Sequence, residues 1–326
     1  MRLHGRVLTS LLLLIALVPA FAQEAASAEA AAPDIGEENR GQLILEPPEE
    51  GEPFWLLLER GRKEMEEGEF GTALYLFTKA LDQRPLFPEA EMALGDVFLA
   101  EGEKELARRQ YEKAVEARDA LLIPDDIYAL RYRMADLHRL DGDYPELERA
   151  LVAVLQEDQA YYREVYLRLG DRYLGKYLEE GLDRLLELYR LERRPERRAH
   201  LELADLYYRA GEREARPVMH RLFAVVIVLS DGIAEYLNFD PLFQFRDLEE
   251  FLRLAARRES VADYFTAAGL YEQLYYLAVS THAAGREARA REVWALLEDL
   301  EAAGRYGDLA SRQLLSPWVD LPSIEL

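Results

Sequence analysis

The stretch "MALGDVFLAEGEKELARRQYEKAV", Met92 to Val115, sets small residues at Gly95, Gly102, Ala107 and Ala114. The same frame stands 34 residues earlier in "RGRKEMEEGEFGTALYLFTKAL", Arg60 to Leu81. Gly61, Gly68 and Ala73 answer Gly95, Gly102 and Ala107. Phe77, Ala80 and Leu81 answer Tyr111, Ala114 and Val115. Six matches at one offset mark an internal repeat rather than chance. Each residue type has a mechanical reason. A glycine late in a first helix lets a second helix approach closely, because a side chain there would overpack the crossing. Gly68 and Gly102 suit the left-handed position that ends a helix. Ala73 and Ala107 face the first helix, and Phe77 and Tyr111 are expected to fill space between units. Pro85 stops the first second-position helix.

A 34-residue helix–turn–helix period of this kind resembles the tetratricopeptide repeat family. The frame continues with drift. Met134-Ala135 with Gly142, Leu169-Gly170 with Tyr173, Leu203-Ala204 with Tyr207 and Gly211, and Leu277-Ala278 with Gly285, Ala290 and Trp294 take the same roles. The resemblance implies an all-α, right-handed solenoid of TPR-like units over 54–316. Units are expected near 54–87, 88–121, 128–161, 163–196 and 197–230, a degenerate one over 231–260, another over 271–304, and a capping helix over 305–316. In the degenerate stretch the apolar run Leu222–Leu229 reads as a buried second helix ending at Ser230-Asp231-Gly232, too short by itself to cross a membrane. Asp240-Pro241 reads as a cap and first-turn proline opening a helix to about Arg258.

The ends carry different signals. Arg2 and Arg6, the apolar stretch Val7–Val18 and Ala20-Phe21-Ala22 form the pattern of a cleaved secretory signal over 1–22. An uncleaved anchor is the weaker alternative, since a bilayer takes about 20 apolar residues. Residues 23–53 are rich in Ala, Glu and Pro, with nine acids against one arginine, and read as an acidic disordered linker. Leu43-Ile44-Leu45 is its one apolar cluster, expected on the first helix, with a docking motif as the other reading. Residues 317–326 read as a tail. Export, to the periplasm of a double-membrane bacterium, is the expected localisation.

The chain of 326 residues has a formal charge of −22, which opposes nucleic acid and anionic membrane as partners. It contains no cysteine, so disulfides, thiolate metal sites and thiol catalysis are excluded. His138, His200, His220 and His282 are scattered, and no pair has metal spacing. No phosphate loop or nucleophile elbow is found. "DGDYPELE", Asp141–Glu148, fits a repeat turn better than a calcium loop. The expectation is therefore a protein that is not an enzyme and uses no cofactor or metal.

What remains is surface. One position of the first helices, lining the groove of such a solenoid, holds Asp96, Asp136, Asp171 and Asp205, with Tyr132, Tyr208 and Tyr275 beside it. Family members that clamp a partner's terminal carboxylate use Lys and Asn in this row, so these residues point instead to a basic or amphipathic protein or peptide. The alternative is that the aspartates only serve their own helices. "YRLERRPERRAH" holds five arginines from Arg190 to Arg198, expected as a solvated loop between units, with an acidic partner as the other reading. "YLNFDPLFQF" sets Tyr236, Phe239, Phe243 and Phe245 together, expected as core and otherwise an exposed hot spot. The leading functional expectation is a cell-envelope scaffold for protein–protein interaction. The alternative is a transport or secretion accessory presenting a small ligand or a binding protein.

Overall fold

In a computed structural model of the chain, residues 51–191 and 194–318 are described, and all their regular structure is helical. The signal, nearly all of the linker and most of the tail lie outside those residues. The helices run in antiparallel pairs: α1 (Phe54–Glu66) with α2 (Phe70–Gln83), α3 (Pro88–Ala100) with α4 (Lys104–Glu116), and α5 (Asp126–Asp141) with α6 (Tyr144–Glu157). A π-helical segment, Tyr161–Leu167, leads into α7 (Arg168–Leu188). Then come α8 (Arg197–Arg209) and α9 (Ala215–Phe239), two short helices α10 (Leu248–Ala255) and α11 (Glu259–Ala267), the pair α12 (Leu270–Ala283) and α13 (Glu287–Glu298), and α14 (Arg305–Leu315). The first three pairs stack in chain order, and α6 then packs on α8 while α7 lies against α9, which makes an α-solenoid.

The repeat residues do what their types allow. A Cβ on Gly61 would lie 2.3 Å from the Phe77 ring, and one on Gly95 would lie 2.3 Å from the Tyr111 ring. The aromatic ring thus sits on the glycine of its own unit rather than between units, and each of these two units is a glycine–aromatic clasp. Turns from first to second helix at Gly68, Gly102, Gly142, Gly211 and Gly285 all take positive φ, which spares a Cβ clash. In the fourth unit that turn is Gly181, at φ +89°, and it divides α7 into a long first arm and a short second one.

The degenerate stretch departs from expectation. The helix holding Leu222–Leu229 does not stop at Ser230-Asp231-Gly232 but continues to Phe239. Gly232 is a packing position, with the Phe265 ring of α11 seated 2.2 Å from where its Cβ would stand. A stop there would leave that ring without a seat. Asp240 does not open a helix; its Oδ1 accepts from Leu242 N (3.1 Å), closing a turn, and α10 starts only at Leu248, capped by Asp247 onto Glu250 N (2.7 Å). Tyr236, Phe243 and Phe245 gather on Phe251, whereas Phe239 is half-exposed and Leu242 almost fully exposed.

By length and composition α9 could cross a membrane, but most of its apolar window, 67%, is buried by protein. It packs against α7, α8, α11 and α12 and is apolar nearly all round, as a central core helix must be. One continuous core runs from Tyr161 to Ala310, while the first three units are built on three smaller clusters, the last of them shared with Ala199, Leu203 and Tyr207 of α8.

Candidate functional site

The aspartate row does not form one open face. Asp96 accepts two hydrogen bonds from Arg133 of α5, at 2.6 and 2.8 Å, and a third from Tyr111 Oη at 2.7 Å. Burial, then the Asp96 charge, pushes the Tyr111 phenol well above its usual range. Asp136 pairs with Arg139 (2.6 Å) and with Arg198 of α8. Both arginines also meet Glu202, so two acids and two bases close a ring across α5 and α8. Tyr132 lies under Arg198, donates to Pro195 O (2.6 Å) and accepts from Ala199 N (3.1 Å). Asp205 is buried and paired with Arg221 of α9, which lies over the Tyr276 ring at 5.1 Å. Burial pulls the Arg221 guanidinium down to about 10. Tyr208 is buried beneath Arg213, and Tyr275 is buried and accepts from Gln313 of α14 at 3.0 Å. Among the described residues Asp171 alone of the four is exposed and makes no ion pair.

The expectation of a ligand-facing row is therefore corrected. Asp205, Tyr208 and Tyr275 are core, while Asp96 ties α3 to α5, and Asp136 and Tyr132 tie α5 to α8. At the repeat position a neighbouring helix brings an arginine within reach: α5 for Asp96, α8 for Asp136 and α9 for Asp205, so these carboxylates find partners inside the chain. The arginine run supplies several. Arg194 binds Asp158 (2.8 Å) and covers Tyr161, Arg197 donates to Ala268 O (3.2 Å), and Arg198 joins the ring above. Arg194, Arg197 and Arg198 are thus inter-unit ties rather than parts of a solvated loop, Arg190 is exposed, and Glu192 and Arg193 lie outside the described residues.

Two of the histidines are not isolated either. His200 and His220 meet in the core with Nδ1 atoms 2.9 Å apart. Their spacing of 20 residues carries no motif, and only the pairing of α8 with α9 brings them together. Among the described residues no cluster of three or more His, Asp or Glu is arranged to hold a metal.

A different surface gathers carboxylates, three of them in ion pairs along their own helices: Glu180 with Lys176 and Arg184, Glu249 with Arg253, and Glu292 with Arg289. Where α7 bends at Gly181, the start of α10 and the face of α13 close around an open cleft of about 540 Å³. Its walls carry the carboxylates of Glu180, Asp183, Asp247, Glu249, Glu292 and Asp299 against a single guanidinium, Arg289. Leu182, Leu248, Val293 and Leu296 supply an apolar lining. Asp183 Oδ1 accepts from Leu248 N (2.7 Å), which fixes the start of α10 against the bend. Burial, with the neighbouring Asp247 and Glu187 charges, raises the Asp183 carboxyl above its ordinary value. Arg289 Nε reaches Leu178 O (3.4 Å), and its Nη1 meets Glu292. An acid rim over an apolar lining suits a lysine or arginine side chain, whose stem and charge need those two surfaces. The sequence did not reveal this cleft, because its acids come from three segments up to 119 residues apart (Glu180 to Asp299) and share no period.

No protein-family model matches the chain. It is 29% identical over 231 residues to an uncharacterised protein of Treponema pallidum (strain Nichols), covering 70% of this chain and 61% of that protein's length. It is 24% identical over 276 residues to an uncharacterised protein of Borreliella burgdorferi, covering 76% of this chain and 85% of that one. A solved structure described as "Functional Characterization of Pseudomonas Aeruginosa pilF" aligns over 80% of this chain and 97% of its own, at 15% identity and a TM-score of 0.35. At that distance the likeness adds nothing to the fold already read from the helices.

Proposed function

We propose that this TPR-like solenoid is a non-enzymatic scaffold that holds a partner protein by a basic segment laid in the acidic cleft. The observation that carries the reading is the cleft itself: six carboxylates and one arginine around an apolar lining, whereas Asp96, Asp136 and Asp205 of the repeat position are paired with arginines within the chain. Charge of one sign on a concave surface steers a basic partner and fixes its register. Export to the periplasm, with the signal over 1–22 removed, belongs to the same proposal, and an N-terminal sequence of the mature protein beginning near Gln23 would support it. A role in presenting a small ligand is less favoured, because the cavities of about 540 and 390 Å³ are open clefts with charged walls.

The test is in-cell photo-crosslinking from Leu296 in the cleft and, for comparison, from Tyr132 between units. A protein captured from Leu296, and lost when Glu249→Lys and Asp299→Lys are introduced together, supports the cleft. Both acids are exposed, so the fold should tolerate the change. Capture only from Tyr132, or capture from Leu296 that ignores both the charge reversal and added salt, overturns it.

A further inference from the structure

The buried polar chain at the junction of the fourth and fifth units is built differently from the rest of the core. Tyr161 Oη lies 2.8 Å from His200 Nε2, the two Nδ1 atoms lie 2.9 Å apart, and His220 Nε2 lies 3.0 Å from Tyr166 Oη. All four ring nitrogens are thus occupied, each by a neutral group. Two Nδ1 atoms that share one hydrogen bond cannot both carry a proton, so the histidines must hold opposite tautomers. His200 stacks on Phe223 with centroids 5.0 Å apart, and both imidazoles are buried.

Both tyrosines come from the π-helical segment Tyr161–Leu167, and they are five residues apart. In an α-helix, residues five apart point about 140° away from each other. The i→i+5 turn brings them back onto one face, and π turns are uncommon and concentrated at functional places. The segment is therefore wound in the one register that lets Tyr161 and Tyr166 grip the histidine pair from its two ends.

We propose that Tyr161–His200–His220–Tyr166 is an acid-sensitive latch that holds residues 161–167 in the π register and lets them go when the histidine pair takes up a proton. The groups facing the pair offer a cation little help. From the segment come the two phenols, with Tyr162 stacked on Tyr166. α8 offers the Tyr207 ring, whose hydroxyl is spent on Glu148 of α6 (2.8 Å). α9 brings the positive charge of Arg216 near His220. Before α8, Arg194 lies over Tyr161, and the nearby Glu196 is joined to Tyr128 (3.3 Å) rather than to an imidazole. From α7 comes only the Tyr173 ring, through Phe223. A first proton would be a buried cation with no carboxylate partner, and a second would set N–H against N–H. Burial first, and then the Arg216 charge, holds His220 down to about 3; burial, then His220, holds His200 well below its usual value.

The sign follows from linkage. A base whose folded pKa is lowered leaves the closed state short of a proton that the open state binds. The closed state is then favoured above about pH 6.5 and loses ground as pH falls from there towards about 3. One proton of difference makes opening about tenfold more populated per pH unit, or about 100-fold between pH 6.5 and 4.5.

Amide hydrogen exchange of the whole protein at pH 7.0 and 4.5, corrected for intrinsic rates, tests this directly. The expected result is a fall in protection of residues 161–167 about 100-fold greater than that in α1–α4, which contain no histidine. Tyr166→Phe should raise opening at pH 7 about fivefold, the equivalent of one net hydrogen bond. His200→Gln with His220→Gln should abolish the acid step while leaving α1–α4 unchanged. Should that pair prevent folding, imidazole ¹⁵N spectra of the unaltered protein decide the matter. Opposite neutral tautomers at pH 6 support the latch. A histidine of this pair titrating near 6.5, or equal protection of 161–167 at both pH values, overturns it.

Discussion

Gly61 and Gly95 occupy the same repeat position but do not have equal room to give. A methyl group on either would stand 2.3 Å from an aromatic ring, well inside contact distance. Phe77 has no polar anchor and can shift, whereas Tyr111 is tethered by its hydroxyl to Asp96. Gly95→Ala is therefore expected to destabilise by about 1–3 kcal/mol, and Gly61→Ala by less, measured as the shift in denaturant midpoint. Removing the tether with Tyr111→Phe should bring the two glycine substitutions closer together; equal costs in the unaltered background would show that the tether does not matter. The Asp205–Arg221 pair makes a second residue-scale case. Asp205→Asn strips a buried guanidinium of its counter-charge and is expected to cost about 3–5 kcal/mol. Asp205→Leu with Arg221→Met removes both charges and should cost less than the single change. If the double variant is the less stable, the pair contributes net stability in the core.

Helices here obey their sequence periods except where a tertiary partner reassigns a residue. Gly232 looks like a terminator when α9 is considered alone, yet Phe265 needs the missing side chain, and the helix runs on. Gly181 performs the terminating role in the fourth unit. Its φ of +89° disfavours any Cβ, and one there would meet Arg289 Nη1 at 2.7 Å. Gly181→Ala is expected to open the bend and displace Arg289 from the cleft. The measurable outcome is faster exchange of the amides at 181–188 and at the start of α10, which Asp183 holds through Leu248 N. Unchanged exchange at both places would mean that the bend is set by packing from elsewhere. The period of 34 was enough to place most turns. It could not show which glycine a neighbouring ring would claim, because that depends on contacts between helices distant in the chain.

Across the whole molecule the core is uneven. α1–α6 are organised around three modest clusters, one of which joins α5 and α6 to α8, while the remainder shares one continuous core centred on α9. In a linear stack each unit relies on its neighbours, so local stability follows local burial. Unfolding is expected to proceed in at least two steps, with α1–α4 opening at lower denaturant than α8–α13. Exchange measured across a urea series would show the order, and a single transition common to every amide would contradict it. The cap contributes to the larger core: Gln313 of α14 donates to Tyr275, and Ala310 is fully buried.

Glycines, alanines and aromatics at one period determined the helix pairs and their stacking, because steric fit at a crossing depends on residue size at fixed spacing. Charge and ring chemistry were legible only as inventory. Whether an aspartate faces a ligand or an arginine is decided by what the next unit brings within about 3 Å, and the answer differs for Asp96, Asp171 and Asp205 although they share a position. The tertiary structure likewise joined His200 to His220, wound 161–167 into a π turn and gathered the cleft acids from three segments. Each of these depends on how whole helices lie against one another. A one-dimensional period carries the size of a neighbour's contact, but not its identity.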